Sequence, residues 1–137
     1  MDDGTIEQIA TADLTAAAAV VDLADDIVGK AVQQLSTTGG PDTQQVLAYD
    51  IAHAASAVAT ARSLLDYGAK GDVEAKITCA FAADMAHDLA SKVLGRENEW
   101  GVQRDALGDA HQFISDFAAP EFLASLAEQA GPRHLDS

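Results

Sequence analysis

Leu47-Ala48-Tyr49-Asp50-Ile51-Ala52-His53-Ala54-Ala55-Ser56-Ala57-Val58-Ala59-Thr60-Ala61-Arg62-Ser63-Leu64-Leu65 is the stretch that decides the fold. Within it Leu47, Ile51, Ala54, Val58, Ala61 and Leu65 are spaced four, three, four, three and four residues apart. A helix turns by about 100° per residue, so this spacing lays all six side chains along one stripe, the pattern of a bundle seam. Val46, Tyr49 and Ala57 add apolar groups on other faces, which predicts that this helix is central. Asp42, with Gln45 three residues on, reads as a capping box, so the helix is expected to open at Asp42. Gly68-Ala69-Lys70-Gly71 is a short break and predicts an antiparallel hairpin to the next helix.

Working outward, the segment capped by Asp72 carries Ile77, Phe81, Met85, Leu89 and Val93 at intervals of four, and Gly95 closes it near Leu94. Upstream, Ala17, Val20, Ala24, Ile27 and Ala31 alternate spacings of three and four, with Asp22, Asp25 and Asp26 mostly off that face. This first helix starts near Thr5, where Thr5 and Gln8 fit a capping box, or near Thr11. It runs to Leu35 and is ended by Ser36-Thr37-Thr38-Gly39-Gly40-Pro41. Downstream, Arg96 to Arg104 is polar and irregular around Trp100. A fourth helix is expected over Asp105 to Phe117, anchored by Leu107, Phe113, Ile114 and Phe117, and a short fifth over Pro120 to Gln129. Gly131-Pro132 is expected to end the order. No stretch alternates strictly, so no sheet is predicted. The expectation is an all-α, antiparallel bundle of four to five helices. Residues 1–130 form its single domain, and 131–137 a disordered tail or the start of a linker to a following domain.

Composition agrees with a globular domain. The chain has 137 residues, 48% of them hydrophobic, and a globule of that length buries roughly two-thirds of its unfolded surface. Much of the apolar content is alanine, which lets helices approach closely but buries little area each. The single cysteine, Cys79, rules out an internal disulfide and fits a reducing compartment. The longest apolar run, Leu14 to Val21, contains Thr15, precedes Asp22 and falls well short of the ~20 residues of a membrane span. Met1-Asp2-Asp3 is acidic, unlike a secretory signal, so a cytoplasmic protein is expected. The formal net charge is −14 and the eight Lys and Arg residues form no run, which argues against nucleic acid and anionic membrane as partners. The ordinary meaning of such charge is solubility. The sharper one is a basic partner surface.

Few residues offer chemistry. Asp50-x-x-His53 and Asp84-x-x-His87 lie on consecutive helices, and di-metal bundles use carboxylate-x-x-His pairs in this way. Asp25 or Asp26 and Asp109 could complete a ligand set on paper. The chemistry argues against it. Such bundles use the longer glutamate to reach the axis, whereas every carboxylate here is aspartate. His53 points nearly opposite the seam through Ile51, and His87 falls on the polar side of its helix with Asp84 and Asp88. His53 is therefore expected at a second helix interface beside Tyr49, and no metal ligand is assigned. Cys79, in an alanine-rich helix with no evident partner base, reads as a small core residue. Ser56, Ser63 and Ser91 lie mid-helix without an elbow motif, and neither Gly39-Gly40-Pro41 nor Gly95 to Gly101 has phosphate-loop spacing. Trp100 reads as a plug between helices or as an exposed interaction anchor. Phe113, Phe117 and Phe122 read as core rather than a cofactor box. No catalytic or cofactor-binding residue follows from the sequence.

Two segments carry a resemblance. Leu47 to Val58, continuing through Ala61-Arg62 and Leu64-Leu65-Asp66-Tyr67-Gly68, is the first. Cys79-Ala80-Phe81-Ala82-Ala83-Asp84, with Leu94-Gly95-Arg96-Glu97 and Trp100-Gly101-Val102, is the second. Together they resemble a helical segment placed ahead of the dehydrogenase domains in some bacterial acyl-CoA dehydrogenase-like flavoproteins. Gly131-Pro132-Arg133-His134-Leu135-Asp136 resembles the join into the first helical domain of such a flavoprotein. The resemblance spans about residues 40 to 137. It implies a non-catalytic accessory domain that docks, oligomerises or covers an active-site entrance. FAD and the carboxylate base would reside in the intact enzyme, and the partner would be its dehydrogenase domains or a homo-oligomer. A free-standing helical homodimer is the alternative, and a metal-binding four-helix bundle a third reading.

Overall fold

The computed structural model describes residues 9–135, with side chains as far as residue 130. Its elements are α1 (Leu14–Thr37), α2 (Gly40–Thr43), α3 (Gln45–Gly68), α4 (Asp72–Val93), α5 (Glu97–Trp100), α6 (His111–Phe117) and α7 (Pro120–Leu135). A 3-10 turn, Gly108–Ala110, leads into α6, and no strand occurs among the described residues. The fold is an all-α bundle. α1, α3 and α4 pack on one another, while α6 and α7 pack against α4.

Cross-links show the run of the helices. The Thr78 hydroxyl donates to the Leu64 carbonyl at 2.9 Å, and Arg96, just beyond α4, meets Asp50 at 2.9 Å. Positions on α3 fall as those on α4 rise, so the two form the expected antiparallel hairpin. They lie close at its closed end, where a Cβ on Gly68 would come within 2.6 Å of the Thr78 hydroxyl. Arg62 ties α3 to α1 through Asp22 at 2.9 Å and Asp25 at 3.6 Å.

Several boundaries differ from the sequence reading. α1 is capped by Asp13, whose carboxylate accepts the Ala16 N–H at 2.9 Å, and Thr11 lies outside the helix. Aspartate ranks above threonine at this position, so the later and stronger cap sets the start. Thr5 lies outside the described residues. Asp42 does not open α3. It sits in the one-turn α2 beside Pro41, and Gln44, at φ −116° and ψ 61°, separates that turn from α3. Asp72 is the first residue of α4 rather than its cap, a place where a carboxylate faces the positive end of the helix dipole. The expected fourth helix is α-helical only from His111. Before it, Gly108 bonds back to Asp105 and Ala110 to Leu107, three residues apart, the tighter 3-10 pattern. α7 continues through Gly131 and Pro132 to Leu135, past the expected end at Gln129. Proline has no N–H to donate, so the helix runs through Pro132 with one backbone bond fewer.

The seam lies where its spacing puts it: Leu47, Ile51, Ala54, Val58 and Ala61 are buried and Leu65 is half-buried. The central position of this helix is not borne out. Val46 and Tyr49 are 73% and 71% exposed, and the middle is held by α1, which touches α2, α3, α4, α5 and α6, and by α4, which touches α1, α3, α6 and α7. Small side chains at Cys79, Ala82, Ala83 and Ala86, all fully buried, let neighbours approach α4 on more than one side. No described helix is long and apolar enough to cross a membrane.

Candidate functional site

The carboxylate–histidine pairs are spent separately. Asp50 leaves α3 towards the turn after α4 and accepts from Arg96 Nη1, while Arg96 Nε donates to Glu99 at 2.7 Å. Hydrogen bonds donated to Asp50 first and Glu99 second push the Arg96 guanidinium further up from its already high value. His53 is exposed, not packed at a second helix interface, and its ring stacks with Tyr49 at 6.4 Å between centroids. It lies too far round α3 from the buried stripe to reach another helix. Asp84 and His87 are exposed on α4, and Asp88 pairs with Lys92 at 2.6 Å. Asp25 pairs with Arg62, Asp26 with Lys30 at 3.1 Å, and Asp109 is exposed. Among the described residues no three His, Cys, Asp or Glu side chains gather into a metal-holding group.

Cys79 is fully buried. Its Sγ receives the Asp13 N–H at 3.4 Å and donates to the Asp13 carbonyl at 3.6 Å, tying α4 to the entry of α1. Burial pushes the thiol up from its ordinary value, more than the Asp13 N–H lowers it. A neutral, enclosed thiol is a poor nucleophile. The native protein is therefore expected to react with an aromatic disulfide reagent only at the rate of its opening, and promptly once unfolded in urea. Because the folded value is raised, the linked stability is fully present below the unfolded value. It is lost as pH rises through the folded one.

Trp100 is the plug. It is fully buried in α5, which packs on α1, and its indole N–H has no acceptor among the described residues. Gln34 fastens the same turn by donating to the Asn98 carbonyl at 3.2 Å. Gly101, at φ +69°, lies so close that an added Cβ would stand 2.9 Å from Gln34 Cβ. Phe113, Phe117 and Phe122 are core: their rings lie 4.7 and 5.0 Å apart in sequence order and all are buried.

One surface feature is the outer face of α3. Val46, Tyr49 and His53, three and four residues apart, form an exposed stripe flanking Asp50. Leu94, 78% exposed, lies two residues before Arg96, and the Arg96–Asp50 bridge joins that turn to the stripe's edge. Sequence reasoning took Val46 and Tyr49 as signs of a central helix. Their own helical spacing was the signal of a second, separate stripe. Comparison of the chain with protein-family models, curated proteins and solved structures finds no match. The site therefore rests on its own geometry. It offers an apolar, aromatic contact surface and brings no nucleophile–base pair together.

Proposed function

We propose that this chain is a helical accessory domain that docks onto the dehydrogenase domains of an acyl-CoA dehydrogenase-like flavoenzyme through the outer face of α3. One observation carries the reading: Val46 and Tyr49 stand more than two-thirds exposed on a helix whose other side is a closed seam. Exposed apolar groups in a row are the usual mark of a protein contact, and tyrosine is among the commonest anchors in one. The choice of partner rests on the resemblance alone; its two segments meet at the Asp50–Arg96 bridge beside this face. In this reading the flavin and the carboxylate base belong to the dehydrogenase domains, where the acyl-CoA thioester is oxidised at its α and β carbons. This domain supplies attachment, and no residue of it a chemical step.

The test is sedimentation velocity on the chain mixed with the dehydrogenase domains of an acyl-CoA dehydrogenase-like flavoprotein. A discrete complex is expected, weakened about tenfold or more by Tyr49→Asp, since loss of an anchor and burial of a charge act together. Absence of a complex would overturn the proposal. So would a homodimer of the chain alone that the same substitution dissolves, or flavin binding by the isolated chain.

A further inference from the structure

A second surface has a different character. Residues 9–13, α1 and α6 enclose an open groove of about 720 Å³. Ile9, Ala19 and Leu23 offer apolar surface along it, over the all but buried rings of Phe113 and Phe117. Three carboxylates, Asp13, Asp109 and Asp116, stand in the lining, and no Lys or Arg does. Asp13 gives one oxygen to the Ala16 N–H and Asp116 accepts from Gln112 at 2.9 Å, and neither pairs with a Lys or Arg among the described residues. The groove runs beside α1 from position 13 to position 23, about 15 Å at the rise of a helix.

We infer that this groove binds a short cationic amphipathic helix of a partner protein. Its apolar face would lie on Ile9, Ala19 and Leu23, and its Lys or Arg side chains among Asp13, Asp109 and Asp116. Helices dock in apolar grooves through side chains spaced three and four apart, and about ten residues cover this length. Charge selects the occupant. A second copy of this chain would bring another net −14 to an acidic surface, and residues 1–8 contribute Asp2, Asp3 and Glu7 with no Lys or Arg. A basic segment matches both the apolar surface and the acidic rim. The inference does not depend on the flavoenzyme being the partner, and it concerns a face other than the α3 stripe.

The probe is a fluorescein-labelled synthetic peptide with leucines at helical spacing on one face and lysines on the other, titrated with the intact chain. Saturable anisotropy is expected, weakened by added salt and by about fivefold in the Asp109→Asn, Asp116→Asn double variant. Amide NMR shifts are expected to move at residues 13–23 and 109–117, and Tyr49→Asp should leave peptide binding unchanged. Asp13 is kept because it caps α1. Absence of saturable binding would overturn the inference. So would undiminished binding by the double variant, equal binding of a peptide with glutamate in place of lysine, or shifts confined to the α3 stripe. Failure of the dehydrogenase docking with peptide binding intact would sink the earlier proposal and leave this one standing.

Discussion

Ile51→Asp is expected to destabilise the protein by about 4 kcal/mol or more, enough to unfold much of it at room temperature. Ile51 is 4% exposed in the middle of the α3 seam, between Leu47 and Ala54, which are as deeply buried. The substitution removes a branched apolar side chain, leaves space behind it, and puts a carboxylate where no donor waits. Its neighbour Asp50 already holds Arg96, so that cation is committed elsewhere. Natural domains are stable by only about 5–15 kcal/mol, and one such change uses much of that margin. Urea denaturation followed through the emission of Trp100, the single tryptophan, measures the loss. His87→Ala is the control: its side chain is exposed on α4, and a change within about 0.5 kcal/mol is expected. Equal losses in the two variants would mean the assigned helix faces are wrong.

Trp100→Ala is expected to cost about 3–5 kcal/mol, the range for emptying a buried aromatic site. The indole is fully buried in the one-turn α5, which packs on α1, and the turn is otherwise held by the Gln34 side chain and the Arg96 ion pairs. Trp100→Phe separates the two roles of the side chain. It keeps most of the apolar volume and gives up only an N–H that has no acceptor among the described residues, so a loss of about 1–2 kcal/mol is expected. Circular dichroism during thermal unfolding compares the three proteins, since both variants lack the fluorophore. A phenylalanine variant as unstable as the alanine one would show that the N–H is bonded after all.

The bundle was legible because its signals are periodic. The stripes on α1 and α3 are buried as their spacing demands, and the hairpin between α3 and α4 needed only the short break after Gly68. Helix starts were harder: Thr5 or Thr11, Asp42 and Asp72 read as the starts, and Asp13 went unread. Only Asp13 has its carboxylate on the N–H of the first turn, a matter of backbone geometry that composition does not carry. Centrality was misread for a related reason. An alanine-rich helix such as α4 owes its central place to close approach by neighbours, which small residues permit but do not announce. The Asp50–Arg96 bridge, 46 positions apart in sequence, and the burial of Trp100 depend on how the turn after α4 folds back. No local pattern encodes either. The exposed α3 stripe was visible as residues at positions 46, 49 and 53, yet its meaning required knowing which side of the helix was already taken.

The most direct test of α3 docking is a fluorophore that senses its surroundings, attached at Val46→Cys. Val46 is 73% exposed, while the native Cys79 is enclosed and does not compete for the label. On titration with the dehydrogenase domains the account predicts a saturating blue shift at position 46 and none at a label on Ser91→Cys, on the exposed side of α4. A complex that forms while the label at position 46 stays in water would contradict it.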